Sequence, residues 1–324
     1  MRAIVHPQFG EPADVLSVEE VETPEPGPGQ VRLRVLLSPV HNHDLWTIRG
    51  TYGYKPELPA RAGTEAVGVI DALGEGVEGL QIGQRVATGG TFGVWAEYVV
   101  APAAGLIPVP DALPDEMAAQ LVAMPFSAIS LLHSLDLKAG DWLVQNTANG
   151  AVGRMVAQIA KARGIHVLGL VRRQSAVDEL AQQGIENVVS TDADDWREKA
   201  LAIVDGGRVV AGVDSVGGSS ANDVLSLLSD NGTLVIFGSM GAGKLELSAG
   251  DIIFRQATVK GFWGSVVSKT MDAETRGALF GELSRYLADG TVTLPVAATF
   301  ALEDVRDAAA ASFSPRVGKV LLRP

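Results

Sequence analysis

DWLVQNTANGAVGRMVAQIAKARGIHVLGLVRRQ, residues 141–174, is the stretch that decides the fold. Trp142 to Val144 is a short apolar run behind the turn pair Ala139-Gly140, the pattern of a buried strand. Small residues follow at Ala148, Gly150 and Gly153, and Val152, Met155, Val156, Ile159 and Ala160 then recur at helical spacing. Gly164 stops that helix, and Ile165 to Val171 reads as a second buried strand. Strand, small-residue turn, helix and strand form the unit that binds a dinucleotide. Backbone N–H groups at the turn face the pyrophosphate, and any side chain larger than a methyl would hold it off.

The glycine fingerprint reads Ala148-x-Gly150-x-x-Gly153, with Ala where the first glycine usually sits. A glycine triplet alone is weak, and a plain crossover without ligand is the competing reading. The strand before it and the helix and strand after it supply the context that such a match needs. The end of the second strand then selects the cofactor. An acidic residue there would hold a ribose 2′-hydroxyl, but this chain has Arg172 and Arg173, and the next acid is Asp178. Guanidinium groups bind a 2′-phosphate in bidentate fashion, so the expected cofactor is NADPH.

At 324 residues the chain exceeds what one hydrophobic core usually serves, and two domains are expected. A net charge of −12 argues against nucleic acid and anionic membranes as partners. Without cysteine, disulfides, thiol catalysis and cysteine-ligated zinc are excluded. MRAIVHPQFGEP at the start has no apolar signal core, and the apolar stretch around Leu121–Leu132 is short and broken by Pro125. A soluble, cytoplasmic protein is the expectation.

From Met1 to about Val122 the chain reads as mostly β. Short runs at Ala3–Val5, Val31–Leu37, Ala66–Leu73, Arg85–Ala87 and Trp95–Val100 are separated by Gly- and Pro-rich turns, as in a small barrel or sandwich. Leu113–Leu135 looks helical, with Pro125 kinking or breaking it. Beyond Gln174, helices (Ser175–Gln183, Asp192–Val204, Ser219–Ser229) alternate with strands (Asn187–Ser190, Arg208–Asp214, Thr233–Phe237, Thr258–Gly261). That alternation predicts a doubly wound parallel sheet. An amphipathic helix near Glu274–Ala288 and a strand at Gly318–Leu322 follow.

GTYGYKPELPA (50–60), QNTANGAVG (145–153), DSVGGSS (214–220), FGSMG (237–241) and GFWGS (261–265) resemble the medium-chain dehydrogenase/reductase superfamily. Within it they resemble the zinc-free branch: quinone oxidoreductases and, above all, mitochondrial-type 2-enoyl thioester reductases. The resemblance covers nearly the whole chain. It implies an α/β protein with a GroES-like β-barrel catalytic domain at residues 1–122, to which 266–324 return, and a Rossmann NADPH-binding domain at 123–265. It also implies a homodimer that reduces a small-molecule enoyl thioester, enone or quinone.

Residue by residue, the resemblance makes Tyr52 the catalytic tyrosine, which hydrogen-bonds the thioester and supplies a proton. Cofactor contacts fall at Asn149, Gly150, Ala151, Val152 and Gly153, and at Arg172, Arg173 and Gln174. Further contacts are Ser127, then Phe237, Gly238, Ser239 and Met240. Phe262, Trp263, Gly264 and Lys319 complete the set. Core packing is the plain alternative for Phe262 and Trp263, Tyr54 is a neighbouring decoy for Tyr52, and Arg49, Lys55 and Arg61 are either phosphate contacts or solvated charge.

The chain departs from the thioester reductases where they have Asn, Pro and Ser before the aspartate: it has His41, Asn42 and His43 before Asp44. Met124 replaces a further Asn. The zinc alcohol dehydrogenases of the superfamily take their ligands from positions matching His41, Thr64 and Met124, and neutral Thr and Met cannot complete a zinc set. No metal is therefore expected, although His41, His43, Asp44 and Glu65 could gather. The readings left open are an NADPH-dependent reductase of activated C=C bonds, a quinone oxidoreductase, a zinc-dependent alcohol dehydrogenase, and a non-catalytic NADPH-binding protein.

Overall fold

The computed structural model describes residues 1–241 and 243–324. They divide into two compact units, the first of residues 1–124 with 294–324 and the second of residues 125–293.

The 125–293 unit is built on a six-stranded sheet in the order Val188–Ser190, His166–Val171, Trp142–Gln145, Val209–Asp214, Thr233–Ile236, Thr258–Gly261. Every neighbouring pair is parallel. The chain winds outward from Trp142–Gln145, returns, and winds outward on the other side from Val209. The switch point between those two strands is where such sheets bind ligands, beyond the strands' carboxyl ends. Helices cover both faces, so the central strands read as continuous apolar runs. Val144, Leu168, Leu170 and Leu234 form one core with Trp196, Val224 and Leu228. The helix expected after the glycine turn spans Ala151–Ala162 and buries Met155, Val156, Ile159 and Ala160.

The amphipathic helix Ala273–Ala288 belongs to this unit, and the chain returns to the other at Leu294, where the sequence reading places the return at 266. Its inward side explains the assignment. Phe280 stacks on Phe126 with centroids 4.3 Å apart, and Glu282 receives both Arg163 Nε and Nη2, at 3.0 and 2.8 Å. The helix expected over Leu113–Leu135 is two helices, Asp115–Ala118 and Ala123–Ser134. The break falls at residues 119–122, before Pro125. That proline sits in the first turn of the second helix, where a missing N–H costs no intrahelical bond.

The other unit is mainly antiparallel. Its seven-stranded sheet runs Val296–Ala301, Lys319–Arg323, Gln30–Pro39, Glu65–Leu73, Arg85–Gly89, Ile107–Pro108, with Tyr98–Pro102 also paired to Gln30–Pro39. A three-stranded sheet joins Ser17–Glu20, Arg2–His6 and Ala60–Arg61. The strand expected at Trp95–Val100 begins at Tyr98, because Trp95 spends its backbone elsewhere: its N–H on Ala62 and its carbonyl on Ile4 of strand Arg2–His6. The Trp95 indole is fully buried with Ile4, Leu33, Leu45, Ile48 and Ile70. Gly63 makes this possible. Its φ is +89°, and a Cβ there would lie 2.2 Å from Trp95 Cδ1. The same contact fixes the backbone that carries Thr64 and Glu65.

Candidate active site and cofactor site

In the first unit the short helix Asn42–Ile48 is opened by His41, whose N–H donates to Asp44 Oδ2 at 3.0 Å. A carboxylate in the first turn also suits the positive end of a helix. The helix places His41 and His43 side by side, imidazoles stacked 4.9 Å apart at 17°. Strand Glu65–Leu73 and the preceding Thr64 supply the partners. His41 Nε2 lies 2.6 Å from Glu65 Oε2, and both side chains are closed to solvent. Glu65 Oε1 accepts the backbone N–H groups of Val122 and Ala123, at 2.5 and 2.8 Å, at the start of helix Ala123–Ser134. Thr64 Oγ1 donates to Asp44 Oδ1 at 2.7 Å and lies 2.7 Å from His43 Nε2.

Burial sets the charges here. It holds His41 well below its usual range, with nearby Lys319 a further cause, so the imidazole is neutral and a single hydrogen lies between its Nε2 and Glu65 Oε2. His41 Nδ1 has no hydrogen-bond partner among the described residues. Burial pushes Glu65 up to about 7 against the opposing pull of the Ala123 and Val122 N–H groups. Lys319 is also buried and is lowered to about 8, first by desolvation and then by Arg316. Asp44 and Glu65 pull it the other way. Tyr52 is half-buried against His43, ring centroids 5.9 Å apart at 32°. Tyr54 turns away and pairs with Phe92 at 4.5 Å on the exposed side. Arg49 is spent on Glu11, at 2.7 Å. Among the described residues no group of His, Asp and Glu side chains is arranged to hold a metal ion.

In the second unit a cavity of about 310 Å³ opens at the carboxyl ends of the parallel strands. Asn149, Arg172, Arg173 and Met240, all singled out by sequence, line it. Both guanidiniums are exposed and make no ion pair among the described residues. Gln174 begins the next helix and reaches Asp178 at 3.3 Å. Gly153 sits where the turn packs tightly onto the helix. A Cβ on Gly153 would lie 2.7 Å from the Thr147 carbonyl and 2.9 Å from that of Ala148, so only hydrogen fits. Thr147 itself holds φ +51°, unusual for a β-branched residue, at the turn between strand and helix.

Phe237 and Phe262 are gathered at a separate place, stacked with centroids 5.6 Å apart. Gly264 and Ser127 meet beside them: a Cβ on Gly264 would lie 2.8 Å from Ser127 Oγ and 3.6 Å from Phe262. Trp263 is exposed, so core packing is not its role. The sequence reading did not single out Asn146, Thr191, Val216, Ser220 or Asp223, which also line the cavity. Asn146 ties the switch point together, donating to Asp214 Oδ1 at 2.5 Å and accepting from Ser215 N at 2.8 Å. Its place directly after the first strand is the signal that marks it.

The described helices include none long and apolar enough to cross a membrane. The family model of the alcohol dehydrogenase GroES-like domain matches residues 27–111, and that of zinc-binding dehydrogenase matches residues 151–277. Over 321 residues the chain is 31% identical to the Homo sapiens protein named enoyl-[acyl-carrier-protein] reductase, mitochondrial, covering 97% of this chain and 86% of the human one. A mycobacterial protein solved in complex with NADPH superposes with a TM-score of 0.88 at 26% identity, covering all of both chains. The quinone oxidoreductase of Pseudomonas syringae gives a TM-score of 0.87 at 25% identity, covering 100% of this chain and 99% of that one.

Proposed function

The chain belongs to the medium-chain dehydrogenase/reductase superfamily, and from that premise we propose that it is an NADPH-dependent, zinc-independent reductase of activated carbon–carbon double bonds, with an enoyl thioester as substrate. The observation that carries the cofactor choice is the pair Arg172 and Arg173 on the cavity, without ion-pair partners among the described residues and with no carboxylate at the end of their own strand. Two guanidiniums there match the dianionic 2′-phosphate in charge and geometry. Gly153, where a Cβ would meet the carbonyls of Thr147 and Ala148, packs the turn tightly onto helix Ala151–Ala162, whose first backbone N–H groups are assigned to the approaching pyrophosphate. Asn149, Gly150, Ala151 and Val152 line that approach, and Phe237 to Met240 with Ser127 and Phe262 to Gly264 serve the nicotinamide end.

NADPH, when bound, supplies a hydride to the β-carbon of the substrate. Negative charge then builds on the thioester oxygen, and a proton must reach the α-carbon. A phenol meets both needs, and Tyr52 is the group assigned to them. Lys319, which feels Asp44 and Glu65, is assigned to an anionic group of the cofactor. The likeness to a human enoyl-[acyl-carrier-protein] reductase supports the thioester. A quinone is the second reading, supported by the likeness to the Pseudomonas syringae quinone oxidoreductase. A consumption assay with NADPH against crotonyl-CoA, 2-hexenoyl-CoA, small enones, 1,4-benzoquinone and simple alcohols tests both. Turnover of alcohols alone, or of no substrate at all, defeats the proposal.

A homodimer is part of the proposal. Edge strand Thr258–Gly261 is exposed along its length, and Ile253 and Phe254 stand exposed on the helix before it. A second copy pairing along this edge would cover both features. Sedimentation at working concentration tests the dimer, and cell fractionation tests the expected cytoplasmic location.

A further inference from the structure

We infer that His43 returns a proton to Tyr52 between turnovers, which makes it a proton-relay residue of the proposed reaction; the inference rests on Tyr52 acting as the acid. A threonine hydroxyl carries one hydrogen. Thr64 gives that hydrogen to Asp44 Oδ1, which as a carboxylate can only accept, at 2.7 Å. At its other contact, 2.7 Å from His43 Nε2, the hydroxyl must therefore accept, and Nε2 must carry a hydrogen. Neutral His43 is thereby fixed as the Nε2–H tautomer, and Nδ1 is the nitrogen left to gain and lose a proton. Asp44 is itself held in place, by the His41 N–H on its second oxygen, and its buried charge lies 3.5 Å from His43 Nε2.

The two stacked histidines differ in the property that matters. His41 is sealed from solvent, its Nε2 is committed to Glu65, and burial holds it neutral. The His43 side chain is 23% exposed and lies against the Tyr52 ring. Of the two, His43 is the one that lies against the Tyr52 ring and is open to water. The enolate's electron pair forms the α-carbon C–H bond while the Tyr52 O–H bond breaks. The phenolate takes the Nδ1 proton of the His43 imidazolium, directly or through one water, and neutral His43 takes a proton from solvent.

Regeneration after chemistry has a kinetic signature that a merely structural role lacks. In stopped-flow oxidation of NADPH with crotonyl-CoA, His43→Asn keeps its first turnover within about twofold, while steady-state kcat falls at least roughly tenfold with KM little changed. Added imidazole restores part of kcat. Thr64→Val, which removes the acceptor fixing the tautomer, gives the same burst followed by a slow steady state. For His43→Asn, an unchanged kcat, a first turnover that falls together with kcat, or a slow kcat that imidazole leaves slow overturns the relay. Tyr52→Phe in the same assay separates the two levels: a slowed first turnover there beside an unaffected His43→Asn defeats the relay alone, and an unaffected Tyr52→Phe defeats the role of the tyrosine.

Discussion

His41 Nε2 and Glu65 Oε2 stand 2.6 Å apart in a place that solvent does not reach. At the position where the zinc alcohol dehydrogenases would have a ligand, this chain has a histidine whose Nε2 is tied to a buried carboxyl. The carboxylate it meets is also gripped by two backbone N–H groups of residues 122 and 123. The contact joins strand Glu65–Leu73 to the start of helix Ala123–Ser134, so it acts on both stability and site geometry.

Stability should record the buried carboxyl. Glu65 moves from an ordinary value of 4.5 up to about 7 in the folded protein, because burial penalises its charged form. An acid whose folded value is raised adds stability that is complete below its unfolded value and is lost as the pH rises through the folded one. The window here is therefore pH 4.5 to 7, and the loss is at most about 3 kcal/mol. Glu65→Gln lacks this titration. Chemical unfolding of both proteins across that window should show wild type losing stability relative to the variant as the pH rises, and a constant difference would contradict the assignment.

Cofactor preference should follow the arginine pair. Charge-assisted contacts to a phosphate are worth about 1.5–3 kcal/mol each, or roughly tenfold or more in affinity. Replacing Arg172 and Arg173 together with alanine should weaken NADPH by at least that factor and leave NADH nearly unchanged in titration calorimetry. Equal affinity of the wild type for the two cofactors would remove the pair from the account.

Much of the second unit was legible because its signals are local and periodic. Gly150, Gly153 and the apolar spacing from Val152 to Ala160 foretell the turn and the helix Ala151–Ala162, and the alternation beyond Gln174 foretells the parallel sheet. What escaped depends on partners far away in the chain. Helix Asn42–Ile48 begins at a histidine, with Asp44 reaching back to its N–H, a cap that a search for Ser or Thr does not find. Strand Val296–Ala301 has small side chains and only one aromatic, and its parallel pairing with Lys319–Arg323 waits on the helix between them. The gathering of His43, Asp44 and Thr64 was visible only as a departure from the resemblance. No spacing rule says that a hydroxyl twenty residues on would set the tautomer of a histidine.

Metal content tests the same cluster from another side. His41 Nε2 is committed to Glu65, and the Thr64 hydroxyl is committed to Asp44 and His43. Met124 offers only a thioether, a poor ligand for zinc. The purified protein should carry less than about 0.1 zinc per chain and keep its activity after a strong chelator. Elemental analysis giving about one zinc per chain, lost together with activity, would favour the alcohol dehydrogenase reading.

The two favoured substrates should separate on Tyr52→Phe, which removes one hydroxyl. On crotonyl-CoA kcat should fall at least roughly tenfold with KM little changed, since the phenol acts mainly in the transition state. On 1,4-benzoquinone, which spreads charge over its ring and takes protons from water, turnover should barely change. Steady-state kinetics of the one variant on both substrates is sufficient, and an unaffected enoyl-CoA rate would take Tyr52 out of the mechanism.

The most direct test of the central claim follows the hydride itself. NADPH deuterated at nicotinamide C4, on the face that is transferred, is incubated with crotonyl-CoA and the enzyme in ordinary water, and the product is analysed by mass spectrometry and NMR. The account predicts butyryl-CoA with one deuterium on the β-carbon and a solvent-derived hydrogen on the α-carbon. Deuterium on the α-carbon, or NADPH left unconsumed by crotonyl-CoA while 1,4-benzoquinone is reduced, would contradict it.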